Sequence, residues 1–304
     1  MDAEAQVDSL PRAKTAGWVN PALLVTEGVV STGSLIALQT LWYSDYPRQS
    51  FAFFDDWRGW QQMDKAGHAS TAYQCTDNLY RIHLWAGWTP KQARWWAAGL
   101  TWTYMLGFEI MDGFSAGWGF SPYDLTFNTL GAALWMGQHL AWNDQRIKLK
   151  FSFFPSGLTQ PNQAGFNTPE MARAQSLFGN SIAEQWIKDY NGQTYWLSVN
   201  IWSLMGKPNG FPRWINAAIG YSSNNLLGAE RNEWIIGRGG EMKQYRSSLE
   251  RERQFIASLD IDLYRAKLPR AFGWLKPVFG IIKLPFPAIE WNNKRGLVFH
   301  AVYF

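Results

Sequence analysis

Ionisable and amide side chains recur at helical spacing between residues 64 and 131, inside segments made mostly of tryptophan, phenylalanine, leucine and alanine. The set consists of Asp64, Lys65, His68, Glu109, Asp112, Ser121, Asp124, Asn128 and Gly131. Residues three or four apart share one face of a helix. If three helices turn these faces inward, a base, an imidazole, several carboxylates and an amide meet. Because buried ionisable groups are costly unless they are paired, such a cluster requires a structural or chemical reason.

Two interpretations of this cluster involve its base, imidazole and amide. In the structural one, Lys65 pairs with a carboxylate, His68 donates to another, and Asn128 bridges two helices, as polar residues do between membrane helices. In the second, the cluster binds lipid or cell-wall headgroups. Lys65 then meets a phosphate, and His68 or a carboxylate moves a proton.

A third interpretation is a divalent metal site. Its ligands would be His68, Glu109, Asp112 and Asp124, which is a weak set because it contains one histidine. Ser121 and Asp124 also fit a helix N-cap, which needs no further function. The sequence therefore leaves the metal unknown, predicts no cofactor, and favours a non-enzymatic role over an enzyme.

The composition points toward membranes and away from nucleic acid. Of 304 residues, 47% are hydrophobic and 17% are charged, below the roughly 25% charge of soluble domains. The chain has 19 Trp, 19 Phe and 12 Tyr, residues that suit a membrane interface. A net charge of +4 is too small to indicate nucleic-acid binding. Cys75 is the only cysteine, which excludes a disulfide within one chain.

The first half of the chain is predicted to be helical. Residues 1–20 are expected to form a flexible tail and residues 21–145 a domain of four helices. These helices are expected at Pro21 to Trp42, at about Gln62 to Trp85, from Pro90 to about Asp112 behind a Thr89 cap, and after a Ser121 cap. The charge-free run 95–108 is shorter than the roughly 20 residues that cross a bilayer, so the helices could be embedded in the membrane or lie on it.

The second half, residues 146–304, is predicted to be a β-rich domain. Residues 146–154 alternate apolar and polar side chains, and similar alternation recurs near Tyr195–Ile201, Ile215–Tyr221, Phe255–Leu263 and Leu297–Tyr303. Each run has the length of a tilted transmembrane strand, and the chain ends on the aromatic Phe304, as outer-membrane strands do. The alternative is an antiparallel sheet that covers the helices of a soluble protein.

Five strands are too few to close a barrel. A partner chain, strands missed in the sequence, or an open sheet must account for the difference. Residues 271–288 are expected to be an interfacial segment.

The first residues suggest secretion. Ala3-Glu4-Ala5 has the small-x-small form of a signal-peptidase site, so we expect this chain to begin inside a secretory signal, with cleavage before Gln6. The alternative is a cytoplasmic protein with a polar tail.

The order Asp-Lys-x-x-His, an acidic pair, and Ser-x-x-Asp-x-x-x-Asn-x-x-Gly over about residues 60–142 resembles the YfiM-like envelope proteins of unknown function, and more distantly the VanZ-like membrane proteins. The resemblance implies a small helical domain in the cell envelope, and YfiM-like members are described as periplasmic lipoproteins. This chain departs from them, because Cys75 lies inside a predicted helix and no lipobox cysteine precedes Gln6.

These observations predict an α+β protein at the outer membrane of a Gram-negative bacterium or on its periplasmic face. A helical membrane-associated domain is followed by an antiparallel β-rich domain with strands of the outer-membrane type. The expected function is structural or accessory, as a subunit of an outer-membrane complex. The alternative is an enzyme or binder that acts on lipid or cell-wall headgroups, with the candidate catalytic residues Lys65, His68, Glu109, Asp112 and Asp124. The expected partners are membrane lipids and a protein partner or a second copy of the chain.

Overall fold

The computed structural model describes residues 19–42, 47–161, 168–238, 241–267, 269 and 275–304. The chain forms two compact units. The helical unit takes the residues up to Trp57 with Gly67–Gln145, and the sheet unit takes Arg58–Ala66 with Arg146–Phe304. The α+β class is confirmed. The cleavage site before Gln6 and the first 18 residues of the expected tail lie outside the described residues. The predicted domain boundaries stay predictions.

Four long helices occur where the sequence predicts them, each within two residues. They are α1 (Val19–Trp42), α2 (Met63–Trp85), α3 (Pro90–Gly113) and α4 (Pro122–Trp142). Thr89 caps α3 in a reciprocal capping box with Gln92, and Pro90 occupies the first turn. The first turn of α2, up to Ala66, is counted with the sheet unit.

The helical unit has an unusual distribution of polarity. The exposed positions described on α1 and α4, and those on α3 beyond its first turn, carry no charged side chain. Large apolar side chains, among them Trp95 and Leu140, are exposed there. The buried positions of the same helices include Glu109, Asn128 and His139.

The sheet unit is built on six antiparallel strands in the order β1-β2-β3-β6-β7-β8. The strands are β1 (Ile147–Phe153), β2 (Gln193–Asn200), β3 (Ile215–Asn224), β6 (Glu252–Ile261), β7 (Phe286–Asn292) and β8 (Gly296–Tyr303). A separate hairpin consists of β4 (Glu233–Arg238) and β5 (Glu241–Arg246). The shorter helices are α5 (Pro169–Phe178), α6 (Ile182–Lys188), α7 (Ile201–Leu204) and α8 (Leu275–Phe279).

The count of five strands is wrong. β7 and the β4–β5 hairpin were missed, and β2 ends at Asn200 because Ile201 begins α7. The interfacial segment expected at 271–288 needs correction too. Residues 271–274 lie outside the described part, α8 follows, and Phe286 begins β7. The short alternation of β7 contains Pro287, which hides the strand from a pattern search.

The polarity of the six-stranded sheet is inverted relative to that of a soluble sheet. Along each of β1, β2, β3, β6 and β7 most polar side chains point to the buried face and most large apolar ones to the other face, with Trp196 and Ile256 as buried exceptions. Ile219 is 61% exposed and Phe299 of β8 is 71% exposed. The buried face carries Lys148, Lys150, Ser152, Ser198, Asn200, Asn216, Gln254, Asp260, Glu290 and Asn292.

The sheet curls until strands that are not neighbours touch across its polar face. Lys150 of β1 lies 2.7 Å from Asp260 of β6, three positions away in the strand order. The chain just before β7 also pairs with the outer edge of β1, where Phe151 faces Ile282 in a parallel bridge. This curvature encloses the polar side chains, which explains their burial. A small apolar cluster around Trp196 and Ile256 lies among them.

Candidate functional site

His68 of α2 is the centre of the polar cluster in the helical unit. Its Nδ1 lies 3.1 Å from the Asn128 Oδ1 and 3.4 Å from the Glu109 Oε1. Its Nε2 lies 3.6 Å from the Asp124 Oδ1. The imidazole therefore stands between two buried carboxylates, one contributed by α3 and one by α4, and only 13% of its side chain is exposed.

Asn128 fixes the orientation of this imidazole. Its amide nitrogen donates to the Glu109 Oε1 over 3.1 Å, so its oxygen is left to accept from His68. A carbonyl oxygen only accepts hydrogen bonds, and the hydrogen of this contact therefore belongs to the His68 Nδ1. The Nε2 then faces the Asp124 Oδ1 at 3.6 Å, which is beyond hydrogen-bond distance.

Asp124 is positioned by the start of α4. The Ser121 hydroxyl accepts from the Asp124 backbone nitrogen over 3.1 Å and donates to the Asp56 Oδ1 over 2.7 Å. The predicted N-cap of α4 is therefore present. Gly131, further along α4, lets the helix approach α2 closely, because a Cβ there would lie 2.1 Å from the Ala69 carbonyl oxygen.

The remaining predicted residues have contacts of their own. Asp112 is half-buried in the last turn of α3. Asp64 and Lys65 belong to the sheet unit, where the buried Lys65 ammonium lies 2.8 Å from the Asp64 Oδ2 and the Tyr190 hydroxyl donates to the Asp64 Oδ1. The structure thus brings His68, Glu109, Asp124 and Asn128 together within the helical unit.

These four side chains can hold a proton, form hydrogen bonds or bind a cation. The Nδ1 of His68 and the Oε1 of Glu109 are both engaged by Asn128. Within the helical unit, the His68 Nε2 and the Asp124 carboxylate face each other and are the atoms of this group that a divalent ion could bind. Metal binding and catalysis by these residues stay predictions.

Two further polar groups escaped the sequence-based prediction. In the helical unit, Glu27 of α1 lies 3.1 Å from His83 of α2. A lone acid in an apolar helix was the available signal. In the sheet unit, the polar strand positions were expected to be one face of a half-buried sheet, and alternation alone does not tell which face is enclosed.

On the enclosed face of the sheet, burial and neighbouring charges shift the pKa values of the ionisable groups in opposite directions. Burial lowers the pKa of the Lys283 ammonium to about 8, although the nearby Asp260 favours the charged form. The same ammonium donates to the Ser258 hydroxyl over 2.8 Å and lies 4.6 Å from the Trp196 ring centre. Burial alone would raise the pKa of Asp262, but Lys148 and Arg265 outweigh it and hold the value at about 2.

One helix in the described part of the chain is long and apolar enough to cross a membrane. It is Val19–Ala37 of α1, with a mean hydropathy of 1.2. This helix meets the criterion for a membrane span by length and composition alone. A signal sequence near the N-terminus meets the same criterion.

Comparison with known proteins gives one match. Residues 53–137 match the sequence model of a family described as a predicted periplasmic lipoprotein (DUF2279). The matched region is less than a third of the chain and contains His68, Glu109, Asp124 and Asn128. No curated protein and no solved structure matches. The YfiM-like and VanZ-like resemblances stay predictions. The family description and the apolar helix α1 support a cell-envelope protein whose activity the match does not name.

Proposed function

We propose that the protein is a structural or accessory component of the outer membrane, in lipid contact through the apolar face of its six-stranded sheet. The observation that carries this proposal is the inverted polarity of the sheet. Outer-membrane strands alternate apolar side chains toward lipid with polar ones toward an enclosed interior. In water, a broad apolar face of this kind would promote association.

The proposal extends the shown envelope location to a specific membrane and a specific surface. The enclosed polar groups are paired with each other, as in the Lys148–Asp262 and Lys150–Asp260 contacts of 2.6 and 2.7 Å. An interior filled by side chains suits a structural element better than a channel. Affinity capture from native membranes, followed by mass spectrometry, would identify the protein partner that the sequence leads us to expect.

Replacing Ile219 with lysine tests the lipid contact. A lysine on the lipid-facing side of an outer-membrane strand costs about 2–4 kcal/mol near the bilayer midplane. We therefore expect Ile219→Lys to lower the free energy of unfolding of the protein in phosphatidylethanolamine–phosphatidylglycerol vesicles by about 2–4 kcal/mol. Urea unfolding of the full-length protein in these vesicles measures the difference.

The matched control for this experiment is Ser248→Lys, which places the same charge at an exposed position in the loop after β5. It should leave the free energy of unfolding in the vesicles unchanged. If Ile219→Lys behaves like Ser248→Lys, the exposed face does not contact lipid and the proposal is wrong. Exposed substitutions in a water-soluble protein usually change its stability by less than about 0.5 kcal/mol.

A second candidate function is binding of a cationic lipid headgroup by the His68 cluster. The favouring observation is the imidazole held between the Glu109 and Asp124 carboxylates. Two carboxylates beside a histidine would bind the ammonium of an ethanolamine headgroup through charge-assisted hydrogen bonds.

Asp124→Asn tests this second candidate. A hydrogen bond to a charged group contributes about 1.5–3 kcal/mol. We therefore expect the substitution to weaken binding of phosphoethanolamine about tenfold or more, measured by titration calorimetry. His300→Gln, which changes a histidine of the sheet unit, should leave the affinity unchanged. Equal affinities for the wild type and Asp124→Asn would contradict headgroup binding, and the cluster would then have a structural role only.

A further inference from the structure

Helix α1 contains one ionisable side chain in 24 residues, and this side chain is buried. The residue is Glu27, and the rest of Val19–Trp42 consists of apolar and small polar residues. A carboxylate near the centre of a lipid-exposed apolar helix costs about 2.5–3.5 kcal/mol. The burial of Glu27 within the helical unit therefore requires partners.

Glu27 connects α1 to both α2 and α3. Its Oε1 lies 3.1 Å from the His83 Nε2, and its Oε2 accepts a hydrogen bond of 3.1 Å from the Trp96 Nε1. The His83 Nδ1 donates to the Leu79 carbonyl over 2.7 Å, so the ring is oriented with its Nε2 toward Glu27. His83 is fully buried. We name this group the Glu27 clasp.

Two more side-chain contacts hold α1 on either side of the clasp. Near its start, the Trp88 Nε1 donates to the Asn20 Oδ1 over 3.0 Å. Further along, the Ser34 and Tyr104 hydroxyls lie 3.1 Å apart. Contacts at three heights along the helix define both its register and the face that it turns toward α2 and α3.

The opposite face of α1 is apolar and uncovered. Val25 and Val29 are each 66% exposed, and only 6% of the Val19–Ala37 window is buried. The core helix of a soluble protein would be mostly buried. At about 1.5 Å per residue, the 24 residues extend about 36 Å, enough to cross the roughly 30 Å hydrocarbon layer. The chemistry of this face fits lipid acyl chains.

We infer that α1 is retained in the mature protein as a membrane-spanning helix held by the Glu27 clasp, and is not removed as a signal sequence. Removal would leave the fully buried His83 and the Trp96 indole without their carboxylate partner, which is costly. A membrane helix tolerates an acid where the acid faces the bundle and is paired, as Glu27 is. The exposed valines then contact lipid.

The first test is the N-terminus of the mature chain. The full-length protein with a C-terminal tag is expressed in a Gram-negative host, purified from membranes and analysed by intact mass and N-terminal sequencing. We expect a chain that still contains Val19–Trp42, and cleavage before Gln6 is compatible with this result. A mature chain that starts within α1 or after Trp42 overturns the inference.

The second test traps the docked helix with a short cross-linker. In a Cys75→Ala background, Ser34→Cys and Tyr104→Cys replace the two hydroxyls that are in contact. A short bis-maleimide, which spans the gap left by the removed tyrosine ring, should link the two thiols in the membrane-extracted protein. Val29→Cys with Tyr104→Cys is the control, because Val29 is 66% exposed on the outer face. Equal yields for the two pairs, or no link in either, contradict the docking.

Variants of the clasp separate its two contacts. Glu27→Leu removes both, and we expect it to lower the yield of the Ser34–Tyr104 link several-fold. Glu27→Gln keeps an oxygen for the Trp96 indole and should retain a higher yield. If Glu27→Leu leaves the yield unchanged, the clasp does not hold α1. The inference does not depend on the lipid contact of the sheet, so we expect Ile219→Lys to leave the yield of the Ser34–Tyr104 link unchanged.

Discussion

Replacing Asp260 with alanine is expected to lower the free energy of unfolding by about 3–5 kcal/mol, because it leaves the buried Lys150 charge without its carboxylate. The Asp260 Oδ2 lies 2.7 Å from the Lys150 Nζ and accepts from the Ser198 hydroxyl over 2.6 Å. Both charged side chains are almost fully buried. The remaining hydrogen bond from Lys150 to the Ile261 carbonyl does not neutralise the ammonium.

Urea unfolding of the detergent-solubilised protein, followed by tryptophan fluorescence, measures this effect. Glu250→Ala is the matched control, because Glu250 forms an ion pair of similar length, 2.9 Å, with Lys294 at the surface. Exposed pairs contribute about 0–1 kcal/mol. The double variant Lys150→Met with Asp260→Leu should recover most of the loss, since it removes both charges together. Similar losses for Asp260→Ala and Glu250→Ala would indicate an interior filled with water.

Replacing Gly131 with alanine is expected to destabilise the helical unit by about 1–3 kcal/mol, and leucine by more, because the added carbon overlaps a neighbouring backbone. The Cβ would lie 2.1 Å from the Ala69 carbonyl oxygen, which cannot rotate away as a flexible side chain can. The helices α2 and α4 must separate. Because Ala69 follows His68 and Asn128 lies one turn before Gly131, the 3.1 Å His68–Asn128 hydrogen bond should lengthen as well.

Gly137→Ala is the control on the same helix. No atom lies within 4 Å of a Cβ at Gly137, and the position is exposed. Alanine is favoured over glycine inside a helix by up to about 1 kcal/mol, so this variant should be neutral or more stable. Thermal unfolding measures both variants, and the NMR signals of the His68 ring report the change at the cluster. A Gly131→Ala protein as stable as Gly137→Ala would contradict the close helix contact.

The sequence predicts the helices well because their ends are marked by local chemistry. Thr89 and Pro90 mark the start of α3, and Ser121 and Pro122 mark the start of α4, each through hydrogen bonds or dihedral limits that involve a few neighbouring residues. The strands are predicted less completely. The β4–β5 hairpin and β7 are short, and a short alternating run is hard to distinguish from a loop.

The candidate site was predictable as a set of residues and only partly as a geometry. The spacing along each helix places Asp124 and Asn128 on one face. It does not show that Asn128 joins Glu109 to His68, because that contact depends on how closely α2, α3 and α4 pack. The pairing of Glu27 with His83 depends on the same packing, across 56 positions of the chain.

The sequence by itself determined the α+β class, the helix boundaries and the alternation of the strands, since caps, prolines and residue periodicity act over a few positions. The tertiary structure alone decided which face of the sheet is enclosed, which acids meet His68, and that Glu27 is held by α2 and α3. These features arise from contacts between residues far apart in the chain. Their energies depend on burial and distance, which local spacing does not encode.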